Sequence, residues 1–188
     1  MKRYVIVTVG KTHSGKTTFA QALQKRLDHS VVIDQDNHAE FVNTHYKTLL
    51  PVQGPNTLKF AITRTIVDYA VSQTNDHLIL CNSNRARKGR TELLERFRKE
   101  GFTSIVVYFD LPDSVLQARI TESRRSTAIF RTASTFEEVL LRQQADSARG
   151  DATAPGESEA DHFFVIESAD NVQSVIQNIV DIVGECRR

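Results

Sequence analysis

The chain has 188 residues, 40% of them hydrophobic and 25% charged, with a formal net charge of +1. Such a chain is long enough to bury a full core as one α/β domain, and near-neutrality gives no global pull towards nucleic acid or membrane, so any basic site must be local. No stretch approaches the ~20 apolar residues of a membrane span, and the apolar run behind Met1-Lys2-Arg3 stops at Gly10, too soon for a secretory leader. Cys81 and Cys186 fit no pairing motif; Cys81 lies in an apolar run, and a cytoplasmic setting is expected.

Tyr4-Val5-Ile6-Val7-Thr8-Val9 reads as a buried strand. Directly behind it, Gly10-Lys11-Thr12-His13-Ser14-Gly15-Lys16-Thr17 fits G-x-x-x-x-G-K-[ST] in full. In that pattern the backbone curls round a phosphate with its N–H groups inward, and a helix starts with its positive end facing the anion. Lys16 can reach the β- and γ-phosphates, and the Thr17 hydroxyl can ligate Mg²⁺. The spacing of Phe19, Leu23 and Leu27 predicts a helix over 16–27.

Val31-Val32-Ile33 is a short strand ending in Asp34-Gln35-Asp36. Residues 37–55 are polar and mixed, with Pro51, Gly54 and Pro55 barring a continuous helix at their end. Asn56 is a good N-cap for a long helix carrying Leu58, Ile62, Ile66, Tyr69 and Ala70 on one face. Residues 78–81 form a third strand, 90–99 an amphipathic helix stopped by Gly101, and 104–109 a fourth strand. Pro112 opens a helix through Val115, Leu116, Arg119 and Ile120. Ser134 and Glu137 make a capping-box pattern before Phe136, Leu140 and Leu141. Residues 146–161 lack large apolar side chains and suggest an exposed, mobile loop; 162–166 is a fifth strand, and Val172 to Val183 mark a closing helix. Solid apolar strands alternating with helices predict a parallel sheet covered on both faces. The ligand crevice of such a sheet lies at the strands' carboxyl ends, where residues 10–17, 34–36, 82–87 and 109–110 should converge.

Asp34 and Asp36 follow a buried strand and point two carboxylates at one edge of that crevice. Phosphoryl transfer needs one carboxylate for Mg²⁺ and another to take the proton of the attacking hydroxyl; the acid nearer the strand suits the metal, the outer one the base. Both residues also suit the simpler task of capping a following helix. Where many phosphate-loop proteins end the third strand in an acid, Cys81 and Asn82 stand here, so metal binding must lean on Thr17 and Asp34. Asn82, Asn84, Arg85 and Arg87 can hydrogen-bond a polar or anionic acceptor, or form a solvated basic turn. Among Arg119, Arg124, Arg125 and Arg131, at least one is expected to close over the phosphates, with Arg125 and Arg131 first in line. His13 is expected to be exposed, its backbone mattering more than its ring. No N-K-x-D guanine reader occurs, and the one D-x-x-G, residues 181–184, lies in the last helix, which argues against a GTP-driven switch.

Over nearly its whole length the chain resembles P-loop kinases of the phage polynucleotide kinase, zeta-toxin, gluconate kinase and shikimate kinase kind, and most closely the polynucleotide-kinase-like group labelled AAA ATP-binding proteins. The resemblance rests on residues 10–17, Ile33-Asp34-Gln35-Asp36, Asn82-Ser83-Asn84 followed by Arg87 or Arg90, and the arginines of 119–131. It implies a three-layer P-loop sandwich with strand order 2-3-1-4-5, in one domain over 1–188 with an acceptor region at 37–60 and a lid at 119–135. It maps the general base onto Asp36, the metal carboxylate onto Asp34 and the lid arginines onto Arg125 and Arg131. ATP is then expected on Gly10, Lys11, Thr12, His13, Ser14, Gly15, Lys16, Thr17 and Thr18, with Arg125 and Arg131. The acceptor is expected on Asp36, Asn82, Asn84 and Arg87, and Mg²⁺ on Thr17 and Asp34. Lys16, Asp36 and Arg125 would carry catalysis to a small-molecule hydroxyl. A nucleic-acid end is the less favoured acceptor: the arginine that polynucleotide kinases carry just beyond the base is replaced by His38 and Ala39. A non-catalytic ATP-binding module is the alternative of another class.

Overall fold

Strand β1 (Arg3–Gly10) is the axis of the molecule. Its side chains alternate between two apolar layers, with Tyr4 and Ile6 on one face and Val5, Val7 and Val9 on the other. A strand buried on both faces needs neighbours on both edges. β3 (His77–Cys81) pairs with one and β4 (Phe102–Phe109) with the other, both parallel. β2 (Ser30–Asp34) lies outside β3 and β5 (His162–Ile166) outside β4, giving the expected order β2-β3-β1-β4-β5. The computed structural model describes residues 2–185; Cys186 lies outside them.

One face is covered by α1 (Lys16–Gln24), α5 (Asp113–Thr121), α6 (Phe136–Ala148) and α7 (Val172–Glu185), through Phe19, Leu23, Leu116, Leu140 and Ile179 among others. The other carries α3 (Thr57–Gln73) and α4 (Arg87–Lys99), which bury Val67, Ala70, Leu94 and Phe97. The fifth strand and the closing helix fall where the apolar patterns put them.

Three expectations are corrected, and one helix is added. α2 (Gln35–His45), for which the sequence assigns no element, starts directly on β2, because the Asp34 side chain accepts the Asp36 N–H at 2.9 Å and so caps it. Ala39, Val42 and Asn43 are its buried face, too few apolar residues to show in a polar sequence. In α3 the buried residues are Val67 and Ala70, whereas Tyr69 is 66% and Ile66 38% exposed; only the C-terminal half of the helix meets the sheet layer. The N-cap at Asn56 holds, accepting the Lys59 N–H at 3.1 Å. The cap of α6 is Thr135, one residue later than the Ser134 pattern, with its side chain on Glu138 N at 3.2 Å.

The third concerns 146–161. Its first part continues α6 to Ala148, and its end is anchored. Arg90, fully buried in α4, forms a two-pronged pair with Glu159 at 2.6 and 3.0 Å, and its third nitrogen donates to the Asn84 and Arg85 carbonyls. A buried guanidinium demands this many acceptors. The pair ties the approach to β5 onto the loop that follows β3.

Candidate active site

The loop between β1 and α1 is shaped by exclusion. At Gly10 a Cβ would sit 2.9 Å from the Cβ of Phe109 and 3.0 Å from Ser14 Oγ, so no side chain fits. Gly10 N donates to Ser83 O at 3.0 Å, fastening the end of β1 to the outlet of β3. Gly15, the N-cap of α1, has φ of 100°, a backbone that glycine adopts without strain. The free N–H groups of α1's first turn therefore open into a crevice of about 940 Å³ at the carboxyl ends of the strands.

Thr12 and Ser14 are buried in the loop. Thr12 N donates to Gln143 Oε1 of α6 at 2.7 Å, and Lys16 Nζ folds back on Lys11 O and on Ser14 Oγ at 3.1 Å. Burial pushes the Lys16 ammonium down to about 8. Thr18 is exposed on the crevice wall. Lys11 offers the site only its backbone, since its ammonium pairs with Asp113.

Thr17 and Asp34, the expected metal pair, are in direct contact: Thr17 Oγ1 donates to Asp34 Oδ2 at 2.9 Å. Asp34 is buried, and its other oxygen caps α2, so the capping task the sequence suggested for it is met while the first oxygen stays beside Thr17. Cys81 Sγ lies 3.5 Å from Thr17 Oγ1. Burial first, and the charge of Asp34 next, push that thiol up to about 12, so it stays protonated and adds no anion. Among the described residues no cluster of three or more His, Cys, Asp or Glu could cage an ion. A hydroxyl beside one carboxylate fits Mg²⁺, a hard ion that takes few protein oxygens and completes its shell with water and phosphate.

Asp36, in the first turn of α2, lines the same crevice, and Arg125 reaches across to it, Nη2 to Oδ2, at 2.6 Å. The Arg125 guanidinium also lies 5.5 Å from the Phe136 ring centroid. Arg119 Nη1 donates to His13 O at 3.2 Å. His13 departs from expectation. Its ring is half-buried, with Nε2 2.9 Å from Ser123 Oγ, Nδ1 3.0 Å from Thr12 Oγ1 and an edge-on contact to Phe136. Burial, then Arg125 and Lys16, lower its pKa. The ring thus docks the phosphate loop onto the stretch after α5, which Arg125 N continues by donating to Ser123 Oγ at 3.1 Å.

Of the other expected residues, Asn82 lines the crevice and donates to Gln35 Oε1 at 2.9 Å. Asn84 does not reach it. It has φ of 44°, and its side chain donates to Thr8 O, holding the loop after β3 against β1. Arg87 is exposed in the first turn of α4, outside the crevice lining. Arg131 donates to Pro51 O at 2.6 Å and to Gly54 O, binding two loops together away from the phosphate loop. Phe109 lines the crevice, whereas Asp110 takes the Tyr108 hydroxyl. Among the lining residues not named in advance as site residues are Gln143, Ser123 and Lys59. Only Lys59 left a signal, a basic residue one turn into a helix that starts at Asn56.

Residues 5–149 match a sequence family described as an AAA domain. No curated protein matches the sequence. The fold is shared with Kti12 of Chaetomium thermophilum, solved with ADP-AlF3 (18% identity, TM-score 0.64, covering 94% of this chain and 97% of that one). It is shared too with shikimate kinase of Bacteroides thetaiotaomicron (17%, 0.59, 96% and 98%). APS kinase CysC of Mycobacterium tuberculosis, solved with AMPPNP and APS, is a third (13%, 0.58, 97% and 98%). At these identities the likeness is one of fold.

Proposed function

The chain belongs to the AAA-domain family of P-loop kinases, matched over residues 5–149, and from that membership and the geometry of the crevice we propose that it is an ATP-dependent kinase that phosphorylates a hydroxyl of a small molecule. One arrangement carries the reading. The Asp36–Arg125 pair stands in the same crevice that Lys16 and Thr17 line, an arrangement suited to a base, a cation and a phosphate cradle. Two fold neighbours, named shikimate kinase and APS kinase, take their names from small molecules.

In this mechanism the loop amides and Lys16 hold the β- and γ-phosphates. Thr17 and Asp34 would hold Mg²⁺, which when bound would neutralise charge on the phosphate oxygens. The acceptor oxygen attacks the γ-phosphorus in line with the departing ADP oxygen, and its proton passes to the Asp36 carboxylate. Arg125 serves both states. Paired with Asp36 it keeps the base occupied; moved to the γ-phosphoryl it frees the base and stabilises the charge that develops. Segment 119–135 is then a lid, and 37–60 the wall that selects the acceptor. A nucleic-acid end is less favoured, because His38 spends its Nδ1 on Thr63 Oγ1 at 2.8 Å and Ala39 is buried.

The test is Asp36→Asn, assayed with labelled ATP against a panel of hydroxyl compounds. ATP affinity should stay within about twofold while transfer falls at least 100-fold, as loss of a general base does. Unchanged transfer would refute the base assignment. No acceptor-dependent ADP release by the wild type across the panel would favour a non-catalytic module.

A further inference from the structure

Four cations line the crevice: Lys16, Lys59, Arg119 and Arg125. The protein engages three of them, through Lys11 O and Ser14 Oγ, through His13 O and through Asp36. Lys59 is different. Among the described residues no carboxylate or carbonyl takes a hydrogen bond from its ammonium, whose neighbour is the Phe60 ring, centroid at 4.8 Å.

That position is unfavourable for a lysine on three counts. It is the third residue of α3, inside the turn where the helix dipole is positive and acidic side chains are favoured; α3 has none there. The side chain is half-buried, and desolvation lowers its pKa. The nearby charge that favours its protonated form is Asp36, whose carboxylate already pairs with Arg125. A wall built only to pack would carry an aliphatic residue here, and one built to start a helix would carry an acid. A cation kept at such a place, on the wall shared with Asp36, is compensated by something that enters the crevice.

We propose that Lys59 is an anion-recognition residue for the acceptor: the phosphorylated molecule carries a carboxylate or phosphate of its own besides the hydroxyl presented to Asp36. The proposal rests on the kinase reading. The contact is ionic and adds no step to phosphoryl transfer. It orients the acceptor by its charged end, and it discriminates against neutral alcohols of the same shape, which leave the ammonium uncompensated.

The experiment uses matched pairs differing in one anionic group, glycerate with glycerol and glucose 6-phosphate with glucose, in the wild type, Lys59→Met and Lys59→Arg. Folding of each variant is checked by thermal melting. The charged member of a pair should be the better substrate by about tenfold or more in kcat/KM. Lys59→Met should raise its KM by a similar factor while the KM for ATP stays within twofold, and Lys59→Arg should recover most of the loss. Equal use of charged and neutral members, or a KM for the charged acceptor unmoved by Lys59→Met, overturns the proposal. A second arm needs no turnover. The protein saturated with ADP is titrated with sulfate at constant ionic strength, following the lysine ε-methylene NMR signals. A saturable shift at Lys59, missing in Lys59→Met, supports the anion subsite even where no acceptor is phosphorylated, an outcome that would sink the kinase reading alone. No saturable response at Lys59 with ADP bound overturns the subsite.

Discussion

Around the phosphate loop, Thr12, Ser14 and Asp34 are buried, and Gly10 leaves no room for a Cβ. The two halves of the facing wall, residues 36–60 and 122–135, are joined by one exposed ion pair and a few half-buried contacts to carbonyls. The Asp36–Arg125 pair has side chains 42% and 34% exposed, Arg131 reaches the Pro51 and Gly54 carbonyls, and Asn43 reaches the Ala128 and Phe130 carbonyls. Exposed ion pairs are worth about 0–1 kcal/mol, whereas each buried polar group left unsatisfied costs about 1–3 kcal/mol. The two halves of the wall can therefore part at the Asp36–Arg125 pair at little cost, while the loop cannot change shape without losing several contacts together. The proposed activity would use this division: a fixed cradle for the phosphates that every turnover shares, and a yielding wall that admits and covers the acceptor.

The sharpest way to break this contrast is Lys16→Ala. Removing the cradle's ammonium should lower kcat/KM by about 100- to 1000-fold with a loss of ATP affinity; a normal rate would mean that the rigid side does not hold the phosphates. A middle-sized effect concerns protons. Because Lys16 titrates near pH 8 before ligand arrives, it is charged below that pH and loses its charge as pH rises through it. A bound triphosphate restores the charge. ATP binding should therefore take up a fraction of a proton at pH 8.5 and none near pH 6.5, and affinity should fall above pH 8. Calorimetry in buffers of different ionisation enthalpy measures both, and proton-neutral binding at pH 8.5 would show that Lys16 stays charged throughout. The smallest effect is expected at Arg131→Ala. Two carbonyl contacts on the yielding wall should cost about 1 kcal/mol in stability and leave ATP affinity within twofold. A large loss of affinity would show that this guanidinium leaves Pro51 and Gly54 for the nucleotide, the role its family resemblance implied.

The same contrast governs what could be read from the sequence. The cradle is built from consecutive residues whose types are dictated by backbone geometry, so 10–17 and the D-x-D after β2 were legible as chemistry. The sheet order followed from solid apolar strands and the resemblance together. The facing wall is built from residues far apart in the chain, meeting through side chains with many possible partners. Nothing local separates Arg125, which reaches Asp36, from Arg131, which turns to Pro51. Asn84 reads as a ligand donor because it is polar and follows a strand, yet it spends its amide holding the loop after β3 against β1. α2 escaped notice because its start is set by an aspartate that had a more interesting role on offer.

The close packing around Gly10 has a consequence for mutational tolerance. Phe109 at the end of β4 and Ser14 in the loop approach one another across a residue with no side chain, so three separate stretches of sequence constrain one another at a single point. Random substitution there should be rejected almost regardless of chemistry, while positions such as Val52, 96% exposed, should accept nearly anything. Variation in this chain should thereby be channelled to one side of the crevice, and in the proposed kinase new acceptors could be explored without re-inventing the grip on phosphate.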